Sequence, residues 1–205
     1  MDGTDLADRV RDDHETAFSR LGSSKALYAL TAGEMEADAV RAAAADDQYA
    51  AADLLDDWAM VEHGGAAPLL ADLAEETRGH AESVEPDGYE RGDDPALYDR
   101  LAFEDDTPGR LGGLLGRYLV VAEYAGQMVG FFVGDADPKA AAEFRELRTA
   151  VEDERDRVVE TLDDVCESDD DWDAAGDAAA AVVEAAYDDY VETLESMGVK
   201  PKNVC

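Results

Sequence analysis

The chain has 205 residues, 51 of them acidic and 17 basic, for a formal net charge of −34, and 46% of its residues are hydrophobic. Such a charge repels phosphate backbones and anionic membrane surfaces, so neither a nucleic-acid nor a membrane partner is expected. The apolar residues recur at helical spacing, which separates this chain from disordered acidic sequences.

Thr4 is placed to cap a first helix in which Leu6, Val10, Phe18 and Leu21 recur every three to four residues, with His14 on the same stripe. Gly22-Ser23-Ser24 breaks it, and Ser23 or Ser24 caps a long Ala/Leu/Met/Glu-rich stretch from Lys25 to about Val61. That length predicts a break near Gly33. His63-Gly64-Gly65 ends the stretch, and a return helix runs from about Pro68 to Val84. Residues 85–106 form a polar crossover punctuated by Gly and Pro. Thr107-Pro108 then opens the most apolar helix, to about Val133, and a tight turn at residues 134–138 leads into a helix from Lys139 to Val165. A last helix, from about Trp172 to Met197, carries a stripe of Ala179, Val183, Ala186, Tyr187, Tyr190, Leu194 and Met197. No segment alternates as a strand does, so the predicted fold is all-α.

The division expected is an N-terminal helix over 1–22, a four-helix bundle over 23–166, and a C-terminal helix with tail over 167–205, the two end helices packing outside the bundle. Residues 111–133 have the length of a membrane span, and Gly112-x-x-x-Gly116 and Gly126-x-x-x-Gly130 suit close helix approach. Arg117, Glu123 and Gln127 interrupt that span, and the helix reads as a bundle core instead. The N-terminus lacks the basic and apolar regions of a signal peptide, so a cytoplasmic location is expected. Cys166 and Cys205 form neither a disulfide framework nor a four-cysteine metal ribbon and read as bystander thiols.

The acidity has a particular character. Only four basic residues are lysine (Lys25, Lys139, Lys200, Lys202), against 13 arginines. Short carboxylates in place of lysine suit a surface kept soluble in molar salt, where the Debye length falls to about 3 Å and self-repulsion is screened. Most carboxylates are therefore solvated. Glu123 is the expected exception, because LVVAEYAGQMVGFF is apolar on almost every side, and a buried carboxylate must be paired, protonated or bound to metal. Counting outward from the two hairpin turns puts Asp47, Gln48, Asp53, Thr77, His80, Glu123 and Glu152 near one level of the bundle.

Two hairpins joined by a long crossover, with the segments ADDQYAAADLLDDWA, AEETRGHAESV, VAEYAGQMVGFF and AVEDERDRVVETL, resemble the rubrerythrin branch of the ferritin-like proteins over roughly residues 35–165. The resemblance implies a ferritin-like four-helix bundle of halophilic type whose metal ligands are a Glu and a Glu-x-x-His in each hairpin. This chain offers Gln48 with Thr77-x-x-His80, then Glu123 with Glu152-x-x-Arg155, so the implied site is degenerate. Its remaining ligands are His80, Glu123 and Glu152, with Asp53 or Asp47 nearby, and oxygen-rich ligands suit iron or manganese. Arg155 stands where a ligand is expected and brings a fixed positive charge in place of a metal's.

The family's four-cysteine electron-delivery module has no counterpart here, so the electron donor is unidentified. The implied function is iron-linked redox or peroxide handling, in a homo-oligomer that is a dimer by family analogy. A second reading is a metal-free scaffold or interaction protein in which Arg155 pairs with Glu123 or Glu152. A third is an unrelated helical adaptor that assembles through its last helix.

Overall fold

The computed structural model describes residues 1–201, so Lys202 and Cys205 lie outside the described residues. The described residues form helices and no strand: α1 (Gly3–Asp13), α2 (Glu15–Leu21), α3 (Ser24–Leu30), α4 (Ala37–Val61), α5 (Ala66–Val84), α6 (Ala96–Leu101), α7 (Thr107–Gly134), α8 (Pro138–Val165) and α9 (Asp169–Ser196). The fold is all-α, as the spacing predicts.

Local signals explain most boundaries, with small shifts. Asp2, not Thr4, caps α1, in a reciprocal capping box with Asp5. His14 divides what the spacing reads as one helix into α1 and α2. The long stretch from Lys25 breaks where expected. Gly33 at φ +86° follows Ala32 at φ +48°, and the Gly33 N–H reaches back to the Tyr28 carbonyl at 2.8 Å. Asp106 caps α7 by accepting from the Gly109 N–H, Asp137 caps α8, and Ser168 with Asp171 forms a second capping box on α9. The crossover is not wholly irregular, since α6 forms inside it.

Helix α7 is the hub of the molecule and packs against α1, α2, α3, α4, α6, α8 and α9. Helices α4 and α5 form one hairpin, and α7 and α8 a second. Arg41 on the first turn of α4 bonds Glu143 at 2.6 Å and lies over the Phe132 ring at 5.5 Å, while Glu62 at its far end bonds Arg110 at 2.8 Å. Those two ties run α4 antiparallel to α7. Similarly, Arg157 on α8 bonds Glu76, and Glu154 bonds His80, which sets α5 antiparallel to α8.

The end helices are not outer additions. Helix α9 lies parallel to α7 and so close that a Cβ on Gly112 would fall 2.1 Å from the Ala175 carbonyl oxygen, and one on Gly116 would fall 2.6 Å from that of Ala179. Only glycine allows this approach, and the Gly112-x-x-x-Gly116 spacing serves α9 docking. No described helix is long and apolar enough to cross a membrane. The stripe on α9 that suggested an oligomer interface is spent inside the fold: Ala179, Val183, Ala186, Tyr190 and Leu194 are buried, and Tyr187 and Met197 partly so. Leu6 and Leu21, from α1 and α2, belong to the same continuous core.

Candidate functional site

The four residues expected to hold a metal do not meet. Glu123 points toward α1 and bonds Arg11 at 3.0 Å, with 30% of its side chain exposed. Glu152 lies on the outer face of α8 and accepts from Arg148 Nε at 3.0 Å. Asp53 is on the exposed side of α4, where Arg91 reaches it at 2.6 Å and Arg78 at 3.6 Å. Only His80 turns toward the core, and its Nε2 lies 2.8 Å from Glu154 Oε1. Arg155 bonds Asp156 beside it rather than Glu123 or Glu152. Among the described residues, no three His, Cys, Asp or Glu side chains gather as a metal site would require.

A different set of side chains fills the core at this level. Arg117 is fully buried on α7; its Nη2 donates to Asp47 Oδ2 at 2.7 Å and its Nε to the Tyr98 hydroxyl at 2.8 Å. Tyr98, on α6, in turn donates to Asp47 Oδ1 at 2.7 Å, and Gln48 Nε2 donates to Asp47 Oδ2 at 3.0 Å. Burial alone would oppose the Arg117 charge, but the Asp47 carboxylate outweighs it and holds the guanidinium firmly ionised. Burial also pushes the Tyr98 phenol well above its ordinary range. Both groups therefore keep every proton their hydrogen bonds need.

On the adjoining side of α7, Tyr118 is fully buried beside Glu154, which is 3% exposed and reaches His80. Burial, then the Glu154 charge, drives the Tyr118 phenol upward. Five buried atoms in this region have no hydrogen-bond partner: Gln48 Oε1, Thr77 Oγ1, Arg117 Nη1, Tyr118 OH and Glu154 Oε2. Such a concentration of buried polar atoms sets this layer apart from the apolar core around it.

This donor set does not fit iron or manganese. Asp47 is committed to a guanidinium, Glu154 faces an imidazole, and a permanently charged Arg117 stands among them. The layer carries its own cation.

Sequence reasoning missed Arg117 and Glu154 for separate reasons. In the sequence Arg117 reads as a cost of crossing a membrane, but a charge inside so apolar a helix must also find a buried partner. Glu154 falls on the inward stripe of α8 with Phe144, Leu147, Val151, Val158 and Leu162, whereas Glu152 and Arg155 flank it. Following that stripe, rather than a Glu-x-x-His pattern, would have found it. Cys166 is buried, and burial with the nearby Asp171 charge lifts its thiol to about 11, which keeps it protonated and unreactive. No family model, curated protein or solved structure matches this chain.

Proposed function

We propose that this chain is a metal-free helical scaffold with ferritin-like hairpin pairing, working in the cytoplasm at high salt. One observation carries the reading: a fully buried Arg117, bonded to Asp47 and Tyr98, stands at the level of the core where the resemblance expects a metal. A cation built into the chain balances the core carboxylate that a metal would otherwise balance. The antiparallel pairings of α4 with α7 and α5 with α8 support the ferritin-like arrangement. The excess of Asp and Glu and the scarcity of Lys support operation in molar salt.

In this reading the crossover is part of the device. Tyr98 fastens α6 to the buried ion pair, so the linker between hairpins is held by the same residues that neutralise the core. The test is metal analysis of protein purified in molar KCl without chelators. The expected content is below about 0.2 equivalents of iron, manganese or zinc, since a dedicated site fills near stoichiometrically. A full equivalent of iron that persists through gel filtration would overturn the reading in favour of iron-linked redox chemistry.

A further inference from the structure

The crossover between the hairpins is fixed at both ends and loosely held between them. At its start Val84 is buried, and its carbonyl accepts from Arg41 Nη1 at 3.2 Å. At its end Leu97 is buried, and Tyr98 donates to Asp47 in the core at 2.7 Å. From Glu90 to Asp94 the chain is exposed and makes no backbone–backbone hydrogen bond. Its ties to α4 run through side chains instead. Asp46 Oδ1 accepts from the Gly92 N–H at 2.8 Å and from the Tyr89 hydroxyl, and Arg91 Nη1 donates to Asp53 Oδ2 at 2.6 Å. Tyr49 of α4 donates to Glu85 Oε2 at 2.6 Å and stacks on the Tyr89 ring at 5.8 Å.

The bond to Glu85 and then burial push the Tyr49 phenol up to about 12, and burial with the Asp46 charge raises that of Tyr89 as well. Both phenols therefore remain donors at neutral pH. Adjacent residues of α4 thus hold the crossover at two depths, Asp46 from outside and Asp47 from within.

The outer clasp works against charge. Residues 85–95 bring the carboxylates of Glu85, Asp87, Glu90, Asp93 and Asp94 and one cation, Arg91, shared between Asp53 and Asp94. The face beneath is itself acidic, with Asp46, Asp53 and Asp56 on α4, the last two sharing Arg78. A segment charged mostly with one sign repels itself and extends. The clasping bonds are direct contacts, whereas the repulsions act between separated groups. The Debye length is about 10 Å at 0.1 M salt and about 3 Å at 1 M, so salt removes the repulsions before it weakens the contacts.

We propose that residues 85–95 form a salt-operated strap, closed on Asp46 and Asp53 in molar salt and released at low ionic strength while α6 stays fastened to Asp47. Release bares the outer face of α4 around Tyr49 without opening the core. The inference goes beyond the scaffold reading and does not require it, because metal content and strap opening are read by separate measurements.

The experiment is amide hydrogen exchange of the ¹⁵N-labelled full-length protein in about 1 M and about 0.1 M KCl. Rates are divided by those of a free peptide of residues 85–95 in the same buffers, which removes the effect of salt on exchange chemistry. The Gly92 amide should lose at least about tenfold in protection at the lower salt, while α4 and α7 keep theirs. Tyr89→Phe removes half of the Asp46 clasp and should open the strap in molar KCl as well. The double variant Glu90→Gln/Asp93→Asn removes two charges that make no contact and should keep the strap closed at about 0.1 M KCl.

Loss of Gly92 protection only together with that of α4 and α7 would overturn the proposal, because the crossover would then open with the whole fold. Equal protection at both salts would overturn it too. A double variant that opens like the parent would show that charge does not operate the strap.

Discussion

Helix α7 carries two ionised side chains less than two turns apart, and the fold treats them oppositely. Arg117 is fully buried under α4 and α6, with its Nη2 2.7 Å from Asp47. Glu123, in the more conspicuously apolar stretch, leaves 30% of its side chain in water and pairs with an Arg11 that is 36% exposed. Apolar neighbours along a helix do not decide which charge is buried; the element that covers the face decides it. Two hairpins and a crossover cover the Arg117 face. The Glu123 face is covered only by α1, a helix of 11 residues, and by the turn at Gly22 that follows α2, which together leave the pair partly open to water.

The largest way to break that comparison is Arg117→Met. It strands Asp47 without its counter-ion and should cost about 3–5 kcal/mol, whereas the double variant Arg117→Met/Asp47→Leu should recover most of the loss. Denaturant titrations in molar KCl would read both. If the double variant fell as far as the single one, the pair would not be the unit the structure describes. The loss should also be insensitive to salt, because no ions penetrate to a buried pair.

Next in size is the dry face of the same helix. Gly112→Val would drive a side chain into the Ala175 backbone and should cost roughly 1–3 kcal/mol or more through overpacking. Gly130→Ala, where a Cβ meets nothing within 4 Å, should be neutral or mildly stabilising. Thermal melts of these two variants separate the glycines that dock α9 from those that merely lie on α7.

Smaller still is Glu123→Gln. A pair this exposed contributes no more than about 1 kcal/mol, and the effect should fade as salt rises. A loss above that, persisting in molar KCl, would mean that α1 seals the site after all.

A separate readout of the same contrast is a pH limb from Glu62 at the far end of α4. Burial opposes its ionisation, but the His63 N–H and the Arg110 and Thr107 side chains outweigh that, so its carboxyl titrates below the ordinary value of 4.5. A depressed carboxyl stabilises the fold above its unfolded value, and the contribution is lost as pH falls through the lower folded value. Glu62→Gln should therefore flatten the acid limb of the stability profile below about pH 4.5 and leave its neutral region offset but parallel. An unchanged acid limb would assign that limb to other carboxylates.

Much of the architecture was legible because it rests on local rules. The break at Gly33, the proline start of α7 and the apolar stripe of α9 follow from capping, turn chemistry and period, although the stripe's inward direction does not. Even the Gly112-x-x-x-Gly116 motif was visible, although its partner was not, since a small-residue stripe announces close approach without naming the helix that approaches. The candidate site was far less legible. Counting residues back from a hairpin turn gives the level of a side chain along a bundle but not its direction, and 100° of helix rotation per residue separates the inward Glu154 from Glu152 and Arg155.

By itself the sequence determined the helical content, most of the segment boundaries and the strongly anionic surface, because propensity, capping and charge act over a few residues. The tertiary structure alone decided that Arg117 rather than Arg155 would be the core cation, that α9 would join the core, and that Tyr98 would bring the crossover to Asp47. Those outcomes depend on which faces meet across long stretches of chain, and burial of a charge is settled only by the groups that close around it.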